Sequence, residues 1–142
     1  MIIGITVGAF DLFHIGHLNL LRNARANCDK LIVGIASSDR IFRYKNKRPV
    51  FTDRERLDIV RNCRFADEVF LNETDPNLVI SYIDLAIRYS TTKWFVGSDW
   101  QGSDKWREIG IELAKIGREL IYLPYTEGIS TTEVFKRIKN AA

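Results

Sequence analysis

Gly8-Ala9-Phe10-Asp11-Leu12-Phe13-His14-Ile15-Gly16-His17 is the stretch on which the fold of this chain turns. Upstream of it, Ile2-Ile3-Gly4-Ile5-Thr6-Val7 is short, apolar and rich in β-branched residues, which reads as a buried strand. Downstream, Leu18, Leu21 and Ala24 recur at helical spacing, so a helix is expected from about Gly16 to Ala26. Two glycines and two histidines therefore occupy a strand-to-helix turn, the place where open α/β folds bind ligands. A helix start there presents unpaired N–H groups and a positive dipole end to an anion. Two imidazoles three residues apart add donors able to carry charge near neutral pH. The turn reads as a phosphate-handling site.

The same alternation continues along the chain. Leu31–Ala36 is a second continuous apolar run and hence a buried strand. Ser37-Ser38-Asp39 closes it with capping residues, and a short helix through Ile41 and Phe42 is expected to follow. The basic run Arg43–Arg48 reads as a solvated loop that can fold over a bound phosphate. Thr52-Asp53-Arg54-Glu55 is a capping box opening a helix that turns Leu57, Val60 and Cys63 inward. By default that helix leaves Arg54, Arg56, Arg61 and Arg64 in solvent. Glu68–Leu71 is a third strand, and Asp75-Pro76 is expected to cap a helix burying Val79, Ile80, Ile83, Leu85 or Ala86, and Ile87. Trp94–Val96 is a fourth strand ending in Gly97-Ser98-Asp99-Trp100, and Leu120–Leu123 a fifth. Ser130-Thr131-Thr132-Glu133 reads as a second capping box at the last helix. The fold class is α/β: a Rossmann-like, doubly wound, five-stranded parallel sheet with helices on both faces, forming a single domain over residues 1–142.

Composition narrows the function. With 142 residues, 46% of them hydrophobic, the chain can bury a sizeable core, and a net charge of +3 gives no field calling for nucleic acid. No apolar segment approaches the roughly 18 residues of a membrane span, and no basic leader with a small-residue cleavage site opens the chain. Cys28 and Cys63 lack metal-ligand spacing and read as reduced thiols of a cytoplasmic protein. No third ligand joins the two histidines, so no protein metal site is expected. In a parallel sheet the strand C-termini share one edge. There the first turn, Lys45 and Lys47, the Asp99-Trp100 loop and Tyr125–Thr132 converge into an inventory that suits a nucleoside triphosphate. Neither a Gly-x-x-x-x-Gly-Lys-Ser/Thr loop nor a Gly-x-Gly-x-x-Gly turn follows the first strand, which excludes the common P-loop and dinucleotide redox designs.

The first turn, with its Gly-x-Phe-Asp lead-in and His-x-Gly-His core, together with Thr126-Glu127-Gly128-Ile129-Ser130-Thr131-Thr132 and Asp99-Trp100, resembles the cytidylyltransferases of the His-x-Gly-His nucleotidyltransferase superfamily. The likeness is strongest to members that use glycerol 3-phosphate, and it runs nearly the length of the chain. It implies transfer of CMP from CTP to the phosphate of a small phosphorylated acceptor, with release of pyrophosphate. In its terms His14 and His17 stabilise charge at the α-phosphorus, Asp11 orients the groups around them, and Lys47 holds triphosphate oxygens. Ala9 and Phe10 give backbone contacts to the nucleotide, Asp99 and Trp100 recognise ribose and base, Thr126 binds the nucleotide, and Ser130 and Thr131 hold the outgoing pyrophosphate. Lys45, Arg56 and Arg64 fall on the acceptor side. Mg2+ would arrive on the triphosphate, and the resemblance implies a homodimer.

Two departures stand out. Tyr125 takes the place of an arginine, and no lysine lies between Asp75 and Arg88. Both bear on the acceptor more than on the nucleotide. An adenylyl or other nucleotidyl transfer, and a nucleotide-binding module without catalysis, are the competing readings.

Overall fold

The computed structural model describes residues 1–141. Its elements are β1 (Ile3–Gly8), α1 (Ile15–Ala26), β2 (Lys30–Ala36), α2 (Ser38–Lys45), α3 (Asp53–Arg61), β3 (Glu68–Asn72), α4 (Val79–Arg88), β4 (Lys93–Gly97), a 3-10 turn (Ser98–Trp100), α5 (Asp104–Lys115), β5 (Glu119–Leu123) and α6 (Thr131–Ala141). The sheet has five strands, all parallel, in the order β3-β2-β1-β4-β5. The expected class and topology are what the chain adopts.

Strand alternation sorts the core into two layers. Leu31, Val33 and Ile35 of β2 and Phe95 of β4 pack with Leu21 and Ala24 of α1 and Val60 of α3. Ile32, Trp94 and Val96 point the other way, onto Tyr82, Ile83, Leu85 and Ala86 of α4 and Trp106, Ile109 and Leu113 of α5. Side chains of successive strand residues face opposite sides, so a run apolar at every position needs helices on both. Among the described residues no helix is long and apolar enough to cross a membrane.

The chain reverses its direction of travel across the sheet at β1, and that is where the sheet opens. β1 and β4 pair in register only at Gly4 with Lys93 and Ile5 with Trp94. Beyond Ile5 the ladder stops, and the buried Thr6 hydroxyl donates to the Phe95 carbonyl at 2.9 Å instead. The diverging strand ends leave the crevice expected at a topological switch point.

Several local expectations are corrected. Asp75-Pro76 does not begin α4. The Asp75 carboxylate accepts from Asn77 N–H at 2.9 Å and its carbonyl from Leu78 N–H, closing a turn, and the helix starts at Val79 without a side-chain cap. On α4 it is Tyr82 that is buried, whereas Ile80 and Ile87 are exposed. The basic run is not all loop: Arg43, Tyr44 and Lys45 form the last turn of α2, which Asn46 ends in the left-handed conformation at φ 52°. The first capping box is complete, with Glu55 N–H to Thr52 Oγ1 at 3.2 Å and Thr52 N–H to Glu55 Oε1 at 3.0 Å. The second is half made. Ser130 Oγ accepts from Glu133 N–H at 3.0 Å, but the Glu133 carboxylate leans toward Arg137 at 3.6 Å.

Candidate active site

The first turn leaves β1 through two residues in the left-handed region, Phe10 at φ 51° and Leu12 at φ 48°. Each costs about 1 kcal/mol or more for a residue with a Cβ. Burial offsets the strain: the Phe10 ring is 4% exposed and lies 5.3 Å from the His17 ring. Between them Asp11, 8% exposed, accepts from Val50 N–H at 2.8 Å and Phe51 N–H at 2.9 Å, one oxygen each. Its carboxylate thus pins the segment that follows Lys45 and Lys47 to the first turn. Arg48 holds the same segment from outside, 3.4 Å from Asp39 and 4.6 Å above the Phe42 ring.

Arg56 is buried, which overturns its default reading as solvated. Its Nε donates to the Phe51 carbonyl, Nη1 to the carbonyls of Ala9 and Ala36, and Nη2 to Ser38 Oγ and Asp53 Oδ1, at 2.6–3.2 Å. A guanidinium has five N–H donors, and all five are engaged. None is left for an acceptor phosphate, so Arg56 ties the ends of β1 and β2 to α3. Arg64 is displaced further from its expected role. It is exposed in the turn entering β3, at the N-terminal edge of the sheet, and does not line the histidine cavity.

The histidines cap their own helix. Gly16 N–H donates to His14 Nδ1 and His14 N–H to His17 Nδ1, both at 3.1 Å, and the rings stack with centroids 3.7 Å apart. A nitrogen that accepts carries no proton, so each neutral ring bears its proton on Nε2 and offers that N–H outward. Burial lowers the pKa of His14. Burial first, and then the neighbouring His14 ring, lower that of His17 to about 3, with Asp11 pulling weakly the other way. The two rings are therefore neutral donors at pH 7 in the ligand-free protein, and His17 stays neutral well into the acid range where an ordinary imidazole is protonated. Gly16 makes the packing possible: a Cβ there would lie 2.9 Å from His14 Cε1 and 3.2 Å from Ile129 Cγ2.

His14 and His17 line a cavity of about 290 Å3 between the ends of β1 and β4, together with Asp99, Trp100, Thr126, Ser130 and Thr131. Seven of the expected residues thus share one hollow. Ala9, Phe10 and Asp11 support it from behind. Lys45 ends α2 and Lys47 lies in the segment after it, both outside the lining. Asp99 sits against its own loop, where a Cβ on Gly97 would run into its carboxylate. The open capping box matters here: with Glu133 turned away, the N–H of Ser130 has no carboxylate over it, unlike that of Thr52. Asn19, missed in the sequence, ties α1 to the late loop through Nδ2 to Thr126 Oγ1 at 3.1 Å, and Tyr125 N–H bonds Ser98 Oγ at 3.0 Å. Its one signal was a polar residue among Leu18, Leu20 and Leu21. A larger hollow of about 630 Å3 flanks α5 and the edge strand β5, and neither histidine lines it.

A crevice at the switch point of a 3-2-1-4-5 sheet, with paired histidines opening α1, marks an α/β protein of the nucleotidyltransferase type. The chain belongs to the cytidylyltransferase-like family, which it matches over residues 5–137. It is 34% identical over 134 residues to glycerol-3-phosphate cytidylyltransferase of Bacillus subtilis, covering 94% of this chain and 95% of that one. It is 35% identical over 133 residues to ethanolamine-phosphate cytidylyltransferase of Dictyostelium discoideum, covering 92% of this chain but 35% of the relative. The fold is that of a lipopolysaccharide core biosynthesis protein from Thermoplasma volcanium, with TM-score 0.69 at 21% identity over 89% of this chain and 97% of that one.

Proposed function

We propose that this protein transfers CMP from CTP to the phosphate of a small phosphorylated acceptor, glycerol 3-phosphate or a related compound. The observation that carries the reading is the stacked pair of imidazoles, each accepting a backbone N–H at Nδ1 and so left with Nε2 as its donor, in one cavity with the open start of α6. An acceptor phosphate oxygen attacks the α-phosphorus of CTP. The bond from that phosphorus to the oxygen bridging to the β-phosphate breaks, and pyrophosphate leaves with its electron pair. The nucleophile is already anionic, so no general base is needed, and catalysis is positioning plus charge stabilisation. His14 and His17 donate to oxygens at the α-phosphorus as charge accumulates. The N–H groups opening α6 and the hydroxyls of Thr126, Ser130 and Thr131 take the departing pyrophosphate. Asp99 accepts from ribose hydroxyls beside Trp100, and Ala9 and Phe10 give the nucleotide backbone contacts.

Lys47 binds the triphosphate and Lys45 the acceptor phosphate in this reading, which is supported by the Asp11 carboxylate tying the segment just after them to the first turn. Among the described residues no group of three or more His, Cys, Asp or Glu side chains is placed to ligate a metal. Both Asp11 oxygens already accept N–H bonds. Mg2+ held by triphosphate oxygens and water fits that arrangement and supplies further neutralisation of the phosphates. Cytoplasmic residence and a homodimer belong to the same reading. The free thiols of Cys28 and Cys63 support the first, and the exposed apolar Ile15, Phe135 and Ile138 near the site support the second. Sedimentation equilibrium checks the dimer.

Pyrophosphate release, measured with each of the four nucleoside triphosphates, Mg2+ and a panel of phosphorylated alcohols, tests the proposal. Release with CTP is expected. Release with ATP in its place overturns the base assignment, and tight CTP binding without turnover of any acceptor favours a binding module.

A further inference from the structure

Lys105 occupies a place that does not favour its charge. It is the second residue of α5, where the positive end of the helix dipole disfavours a cation. Its ammonium donates to Tyr82 Oη at 3.3 Å and lies 5.5 Å, 5.9 Å and 5.8 Å from the ring centroids of Tyr82, Trp100 and Trp106. Among the described residues no carboxylate stands within 4.0 Å of Lys105, Lys45 or Lys47. Lys45 and Lys105 are far apart in sequence, yet the charge of Lys105 is felt at Lys45. Burial, then Lys47, Arg40 and Lys105, lower the pKa of Lys45. Trp100 lines the histidine cavity, so the rings around Lys105 are continuous with the site.

Three aromatic rings around an ammonium make the kind of enclosure that holds alkylammonium ligands. Here the chain fills it with its own cation. A charge fixed in that position attracts a phosphate dianion approaching Lys45 and repels an ammonium on the same small molecule. It also denies that ammonium the rings.

We infer that Lys105 is a specificity-determining residue of the acceptor subsite, selecting phosphorylated alcohols with a neutral tail over those whose tail carries an ammonium group. The inference rests on the cytidylyl transfer proposed above. Lys105 also lies 5.9 Å from the Trp100 ring, so the KM for CTP is read alongside the acceptor preference.

The test compares kcat/KM for glycerol 3-phosphate and for ethanolamine phosphate, at saturating CTP, in the wild type, Lys105→Met and Lys105→Arg. The wild type is expected to prefer glycerol 3-phosphate. Lys105→Met should shrink that preference about tenfold with the KM for CTP unchanged, and Lys105→Arg should keep it. An unchanged preference in Lys105→Met overturns the inference, as does a CTP KM that rises in step with the acceptor KM. A wild type that releases no pyrophosphate with either acceptor sinks the proposed function. Calorimetric titration with the two acceptors then decides Lys105 separately, and binding of neither, or of both equally, overturns it.

Discussion

The backbone N–H of His14 donates to Nδ1 of His17 at 3.1 Å, and that bond sets which nitrogen of His17 carries the proton. The ring is at once a cap for α1 and a donor facing the cavity. The two roles separate by substitution. In His17→Asn the amide oxygen takes the place of Nδ1 and keeps the cap, while the Nε2 donor is lost. Pyrophosphate release should fall about 100- to 1,000-fold, the usual loss for one oxyanion donor, with the melting temperature nearly unchanged. His14→Ala and His17→Ala should lose as much activity and some stability besides. Full activity in either variant would sink the charge-stabilising role.

The same ring fixes a pH dependence of stability. The His17 pKa is about 3 in the folded protein against 6.5 for an ordinary imidazole, so the unfolded chain binds the extra proton. Stability contributed by the neutral ring is full above pH 6.5 and is lost as pH falls from there toward 3. The wild type should therefore lose stability relative to His17→Asn between pH 7 and pH 4, and show a constant difference above pH 7. Urea midpoints at a series of pH values measure it.

Gly16→Ala sets helix propensity against site geometry. Alanine is favoured over glycine in a helix by up to ~1 kcal/mol. Its methyl, however, would sit 2.9 Å from His14 Cε1 and 3.2 Å from Ile129, displacing the imidazole and the late loop together. Turnover should drop tenfold or more while the unfolding midpoint stays level or rises. An equal loss of both would instead mark a general packing defect.

Arg56→Lys keeps a charge and loses the fork. Lysine has three donors on a point-like head, and it cannot meet the carbonyls of Ala9, Ala36 and Phe51 along with Ser38 and Asp53. Destabilisation by about 3 kcal/mol or more is expected from urea unfolding, the usual cost of breaking a buried charged network. Stability within 1 kcal/mol of wild type would show that those carbonyls find other partners.

The sequence by itself determined the five strands, their parallel pairing, the edge at which the loops meet and seven of the residues that line the cavity. Those features are written in short-range patterns: continuous apolar runs, helix spacing, and capping residues at strand ends. The tertiary structure alone decided the rest. A sequence shows that Arg56 is a cation on a helix, but only the packed β1 and β2 ends bring it five acceptors. Only the fold buries His14 and His17 and so lowers their pKa below that of an ordinary imidazole. The contrast between Glu55, which closes its capping box, and Glu133, which Arg137 draws away, is likewise invisible in two nearly identical motifs. The charge of Lys105 is felt at Lys45 through the fold alone. Charge, solvation and hydrogen-bond competition depend on neighbours distant in sequence, and the first turn, Gly8–His17, takes its chemistry from them.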